Sequence, residues 1–213
     1  FALTPMVHWP DNMVSYLEED KILFSNDAFG QHLSTHERFD DEYSLPIILQ
    51  EAKKYYANIV MPFSGQVQNA IEEVSKFKEI EVIATSHGII WRKHISEILS
   101  CYKKWSQNET EEQAVIVYDT MWKTTEKIAH EMYAFLEENN IKVMMRNLQT
   151  NHISDIMTDI QESKYIFVGS PTLNNNMLPT VAGSLTYLQG LAPKNGLGWP
   201  SAPTVGEDRA WNR

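Results

Sequence analysis

From residue 114 onward strand-like and helix-like stretches strictly alternate, with no internal repeat of sequence. Each short apolar run leads through a polar turn into a segment of helical period. AVIVY (114–118) precedes a helix-like stretch over 124–140, with Ile128, Met132, Phe135 and Leu136 on one face. The run 142–147 precedes a helical segment over 153–162, and YIFVG (165–169) precedes one over 178–191. Near-continuous apolar strands joined by helices call for a parallel sheet covered on both faces. That predicts an α/β, doubly wound second half. In the open strand order 2-1-3-4-5, the loops after the first and third strands flank the switch point where ligands bind.

Those two loops are polar. DTMWKTTEK (119–127) clusters hydroxyls at Thr120, Thr124 and Thr125 where a strand hands over to a helix. Free N–H groups at a helix start favour an anion, and hydroxyls add donors. No GxGxxG or GxxxxGK[ST] occurs, so dinucleotides and triphosphates are poorly supported, and a single terminal phosphate fits better. The competing reading is that Thr124 simply caps the helix. GSPTLNNNMLP (169–179) offers exposed amides after the third strand. A flat flavin ring would lie between two such loops.

The first half mixes short strands and helices. Strand-like runs cover 13–17, 21–25 and 81–85, and helical segments cover 46–60, 65–77 and 95–105. Three stretches place metal-type donors at or near strand ends: MVHWPDN with His8, SNDAFGQH with Asp27, and TSHGIIWR with His87. Imidazole and carboxylate donors suit iron, zinc or manganese, and one aspartate can bridge two metals. Singly, each such residue is more often a structural hydrogen-bonding group. His32 and His36 read as supporting or surface groups, Trp9 as packing beside the site, and His94, His130 and His152 as solvent-facing.

HWPDN, SNDAFGQH, RFDDE, YYANIVMPF and SHGIIWR together resemble the metallo-β-lactamase-like domain of flavodiiron proteins, over residues 3–105. DTMWKTTEKIA with GSPTLNNNMLP resembles the flavodoxin-like domain of the same family. The resemblance implies a partial metallo-β-lactamase-like αββα domain over 1–106, a linker over 107–112 and a partial flavodoxin-like domain over 113–196. It implies that His8 and His87 each bind one of two iron ions and that Asp27 bridges them. It implies FMN phosphate contacts from Thr120, Met121, Trp122, Lys123, Thr124 and Thr125. Ring and ribityl contacts would come from Ser170, Pro171, Thr172, Leu173, Asn174 and Asn175. The family's remaining iron ligands come from an H-x-E-x-D motif that this sequence does not contain, so they are expected upstream of Phe1 and the chain is read as an incomplete fragment.

By the same resemblance, electrons pass from a donor such as rubredoxin or a reduced deazaflavin to FMN. They then reach the diiron centre, which reduces dioxygen to water or nitric oxide to nitrous oxide, in a head-to-tail homodimer. A metallo-β-lactamase-type hydrolase and a non-catalytic flavin-binding fragment are the alternatives. Net charge is -10, which disfavours nucleic acid and anionic membranes as partners. The single cysteine, Cys101, excludes an internal disulfide and fits a reducing cytoplasm. No apolar run of about 18 residues is present, so a membrane-spanning helix is not expected.

The last stretch, 196–213, has no strand period where a fourth strand and its loop are expected. Re-reading the codons of 200–213 one base earlier, with a consistent choice of third bases, yields Ala-Phe-Gly-Ser-Tyr-Gly-Trp-Gly-Gly-Gln-Gly-Val-Glu-Pro. That matches the glycine- and aromatic-rich loop of the family. A reading-frame slip near 197–199 is therefore expected, and the nucleotide sequence decides it.

Overall fold

The computed structural model describes residues 1–191 and Pro193; the anomalous tail lies outside the described residues. The chain divides into two compact units, Phe1–Glu109 and Thr110–Arg213.

In the first unit β1 (Ala2–Leu3), β2 (Met13–Leu17), β3 (Ile22–Asn26) and β4 (Val82–Thr85) form one sheet in that order. The first two pairings are antiparallel and β3–β4 is parallel. Burial follows the two-residue period of a sheet with one covered face: Val14, Leu23 and Ser25 are buried, while Met13, Ser15 and Phe24 face out. Three helices accompany the sheet: α1 (Leu45–Tyr55), α2 (Ser64–Val74) and α3 (Ile95–Ser106). The single helix expected over 46–60 is interrupted. After α1 a wider π turn covers Tyr56–Val60 and a tight 3-10 turn covers Met61–Phe63. The π turn lets Tyr55, Tyr56 and Ala57 all reach the core, at 3%, 0% and 0% exposure. Pro62 then supplies no backbone N–H to continue the ladder.

The parallel β3–β4 pair decides where the chemistry goes. Its register sets Asn26 opposite Thr85, so both strands release their following loops at one sheet edge.

The second unit holds β5 (Glu111–Tyr118), β6 (Lys142–Asn147) and β7 (Ser163–Gly169) in the order β6-β5-β7, all parallel. Three helices follow the strands: α4 (Thr124–Glu138), α5 (Ile153–Glu162) and α6 (Pro179–Leu191). This is the 2-1-3 core of a doubly wound sheet. Central β5 is buried at every residue from Gln113 to Tyr118, as its unbroken apolar run requires. Ala114, Ile116 and Tyr118 pack with Ala129, Leu136 and Val143. Each large aliphatic side chain buried there contributes about 2 kcal/mol. The strand starts before the apolar run. Glu111 and Glu112, expected in the linker, belong to β5, and Glu112 is held by Lys164 Nζ at 2.6 Å and Tyr165 Oη at 2.7 Å. No helix among the described residues is long and apolar enough to cross a membrane.

Candidate functional site

The exits of β3 and β4, and the loop between β1 and β2, bring His8, Asp27 and His87 together. His8 Nε2 lies 3.3 Å from Asp27 Oδ2, and His87 Nε2 lies 3.4 Å from Asp27 Oδ1. One carboxylate thus faces a different imidazole with each oxygen. No three His, Cys, Asp or Glu side chains among the described residues close on a single point, so the geometry is two pairs sharing one acid. The spacing is informative. A charge-assisted N–H to carboxylate hydrogen bond is about 2.7–2.9 Å long. Two donors each about 2.1 Å from one metal, at an angle of roughly 105°, stand about 3.3 Å apart. The observed gaps fit donors around a metal better than donors bonded to each other.

The backbone below is built to hold that spacing. Asn12 Nδ2 donates to Thr4 Oγ1 at 2.8 Å, and Thr4 N–H donates to the Asn12 carbonyl at 2.9 Å, closing the loop that carries His8. Asn26, the last residue of β3, donates through Nδ2 to Asn12 Oδ1. Its Oδ1 accepts from Ser86 Oγ at 2.8 Å. One amide therefore ties the His8 loop to the His87 loop, next to Asp27. Gln31 is fully buried and joins the other side. Its Oε1 accepts from Ile89 N–H at 2.6 Å, and its Nε2 donates to the carbonyls of Ile89 and Phe29, each at 3.2 Å. Gly88 has φ +85°, and a Cβ there would sit 2.1 Å from Gln31 Oε1, so only glycine serves. The Gln31 carbonyl lies 3.4 Å from His87 Nδ1, which leaves Nε2 directed at Asp27.

The remaining aromatic and imidazole groups line the site. The Tyr55 ring is 5.1 Å from that of His87, and its hydroxyl is buried with no partner. Burial, then the Asp27 charge, pushes the Tyr55 phenol well up, so it stays a neutral donor. An unanswered donor beside a carboxylate and two imidazoles suits a bound metal with an oxygen ligand. His32 approaches to 5.0 Å from His87, and burial, then the neighbouring His87, lowers its pKa. His32 is itself exposed but touches the cluster through the rings of Tyr55 and His87, whereas His36 and His130 are exposed with no ring contact among the described residues. Trp9 stands 5.6 Å from His8 and is 60% exposed. Two histidines expected in solvent have structural duties. His94, half-buried, pairs with Glu97 at 3.0 Å, and His152 accepts from Ser154 N–H to cap α5.

In the second unit the loops after β5 and β7 lie side by side, because their strands are neighbours. Lys123 occupies the N-cap position of α4 in the left-handed region, φ +64°, and makes no side-chain cap. Thr124 is inside the helix, so the reading of Thr124 as its cap is corrected. The first turn of α4 keeps its amides free of a side-chain acceptor. The Thr120 hydroxyl is buried without a partner, which fits a phosphate-type acceptor at this end of α4. Met121 and Trp122 are exposed, Trp122 at 87%. Gly169 ends β7 where a Cβ would come within 2.9 Å of the Thr125 methyl, so the second loop starts hard against α4. Ser170 Oγ donates to the Pro171 carbonyl and accepts from Leu178 N–H, both at 2.9 Å. Leu173 and Asn176 exchange backbone hydrogen bonds of 2.7 and 2.9 Å. They enclose Asn174 and Asn175, both left-handed at φ 51° and 61°, a two-residue turn that asparagine tolerates. Thr172 lies between Pro171 and this turn, at an exposed position.

Comparison with known proteins separates the same two halves. Residues 1–88 match the ODP family beta lactamase model and residues 116–197 match the flavodoxin model. Over 199 residues the chain is 44% identical to a nitric oxide reductase of Moorella thermoacetica, covering 93% of this chain and 50% of that protein. The chain belongs to the flavodiiron protein family. Its backbone superposes on the rubredoxin oxygen:oxidoreductase of Desulfovibrio gigas with a TM-score of 0.88 at 38% identity, over 91% of this chain and 49% of the other. The flavodiiron protein of Giardia intestinalis gives 0.86 at 34% identity, over 89% and 47%. The chain spans about half the length of the flavodiiron relatives it matches.

Sequence reading had no handle on Asn26, Gln31 or Tyr55. An asparagine and a glutamine inside a loop motif carry no ligand spacing of their own. Tyr55 shares its helix face with Ile48 and Ala52 and reads as core.

Proposed function

We propose that these residues form part of a flavodiiron oxidoreductase. His8 and Asp27 would hold one iron, and His87 and Asp27 the second. FMN would bind at the loops over 120–125 and 170–175. The observation that carries this reading is the Asp27 carboxylate, which presents one oxygen to each of two imidazoles at metal-compatible spacing. Bound iron and flavin would supply the electron chemistry that side chains lack. The chain's own contribution is placement. Asn26 and Gln31 hold the ligand loops, Tyr55 keeps a neutral proton donor at the site, and the uncapped α4 receives a phosphate.

The substrate is dioxygen or nitric oxide. This rests on the 44% identical nitric oxide reductase and the 38% identical oxygen oxidoreductase. A rubredoxin-type or deazaflavin donor, a head-to-tail homodimer and a cytoplasmic setting belong to the same proposal. The activity is proposed for a protein of the relatives' length, in which further ligands complete the iron sites.

Anaerobic titration of a protein of the relatives' length with ferrous iron and with FMN tests the assignment. The expected result is iron binding that disappears in Asp27→Ala and flavin binding that survives it. Zinc retention with no flavin binding would instead favour a metal-dependent hydrolase.

A further inference from the structure

The flavin reading leaves one buried carboxylate without a task. Asp119 follows β5 and is 3% exposed. Its Oδ1 accepts from the Thr120 N–H at 2.6 Å and from Gln149 Nε2 at 2.6 Å. Its Oδ2 accepts from Thr180 Oγ1. Its own N–H donates to the Gly169 carbonyl at 3.1 Å. The partners come from the β5 exit, the loop after β6, the end of β7 and the start of α6. Four segments therefore meet at one side chain.

Hydrogen-bond accounting at Thr120 shows what this junction does. The Thr120 N–H is taken by Asp119, and its carbonyl accepts from Gln149 Nε2 at 2.9 Å. Both backbone groups are fixed, and only the side-chain Oγ1, buried and without a partner, is left. A buried hydroxyl without a partner is unfavourable, and the two fixed backbone groups hold it at the end of β5. A ligand oxygen reaching this loop would supply the partner.

We propose that Asp119, with Gln149 and Thr180, is the positioning residue that fixes Thr120 so that its hydroxyl meets the phosphate monoester of the flavin. This rests on the flavin-binding reading above. It adds the loop after the second strand of the sheet to the site, through Gln149.

Charge and geometry predict opposite signs for one variant. A carboxylate near a phosphate repels it, so if charge governs, Asp119→Ala tightens FMN binding. If position governs, Ala weakens it, because it leaves the Thr120 N–H, Gln149 Nε2 and Thr180 Oγ1 without their shared acceptor.

Fluorescence titration of the chain with FMN and with riboflavin, which lacks the phosphate, reads this directly. Asp119→Ala and Gln149→Leu should each cut FMN affinity about tenfold or more, the scale of a lost hydrogen bond to a charged group, and leave riboflavin within about twofold. Thr180→Val should follow them and Thr180→Ser should restore binding. An equal loss for both flavins, or tighter FMN binding, overturns the proposal. Hydrogen exchange without flavin supplies the second arm. Gln149→Leu, a change at an exposed side chain, should speed exchange at both 119–121 and 149–151, and an effect confined to residue 149 overturns the junction. Failure of the wild-type chain to bind either flavin overturns the flavin reading itself. Binding with an unchanged FMN-to-riboflavin ratio overturns only the role of Asp119.

Discussion

At the exit of β3 the functional atoms belong to side chains, whereas at the exit of β5 they belong mostly to the backbone. Asp27, His8 and His87 present a carboxylate and two ring nitrogens, and any change of residue removes the atom. The second unit presents the amides of an uncapped helix start and a two-asparagine turn, which survive most substitutions. Yet both sites are stabilised in the same way, by a polar side chain at the strand exit that ties neighbouring loops. Asn26 does this with a donor and an acceptor, Asp119 with acceptors alone. The lesson is that ligand identity and ligand placement are separate tasks, carried by different residues.

The largest expected effect separates the two sites outright. Asp27→Ala removes the group shared by both halves of the proposed metal site and should lower iron affinity on the order of 100-fold or more. Calorimetric titration checks it. Thr120→Val, the harshest single change at the flavin loop, should cost only about tenfold in FMN affinity, because the amides remain. Comparable losses at the two sites would erase the distinction.

Next comes backbone tolerance. Gly88→Ala forces a Cβ into Gln31 at a left-handed φ and should destabilise the first unit by roughly 3 kcal/mol. Gly169→Ala meets the Thr125 methyl at 2.9 Å, which can shift, and the Tyr118 Cβ at 3.2 Å, and should cost about 1 kcal/mol. Urea unfolding followed by hydrogen exchange in β4 and β7 reports each unit separately.

A smaller effect tests the shared device. Asn26→Ala keeps all three proposed metal donors but unties two loops, and should weaken iron binding about tenfold. The Nε2 signals of His8 and His87 in NMR spectra should broaden together. Broadening at one ring alone would deny Asn26 its joint role.

The smallest effect is a pH dependence. His94, then Ser96, holds the Glu97 carboxyl down to about 2 at the start of α3. A depressed acid contributes stability that is present above its unfolded value near 4.5 and is lost as pH falls toward 2. Glu97→Gln should therefore flatten the acid limb of first-unit stability slightly. Its exposure keeps the change small.

Much of the fold was legible because periodicity encodes it. The unbroken apolar run of β5 forces a covered parallel sheet, and the observed order β6-β5-β7 follows. The π turn at Tyr56–Val60 was not legible, since its apolar spacing mimics one continuous helix. His8, Asp27 and His87 stood out only together, through the family resemblance of the three stretches that carry them; singly each reads as a structural hydrogen-bonding group. Asp119 and Gln149 did not, because a junction residue is defined by partners 30 and 61 positions away in sequence, and no local pattern marks them.

Anomalous X-ray scattering from crystals of a protein of the relatives' length, soaked anaerobically with ferrous iron, tests the central claim most directly. Two iron peaks are expected, one between Asp27 and His8 and one between Asp27 and His87. A single peak, or peaks that leave the Asp27 carboxylate untouched, would contradict the shared-carboxylate site and the function built upon it.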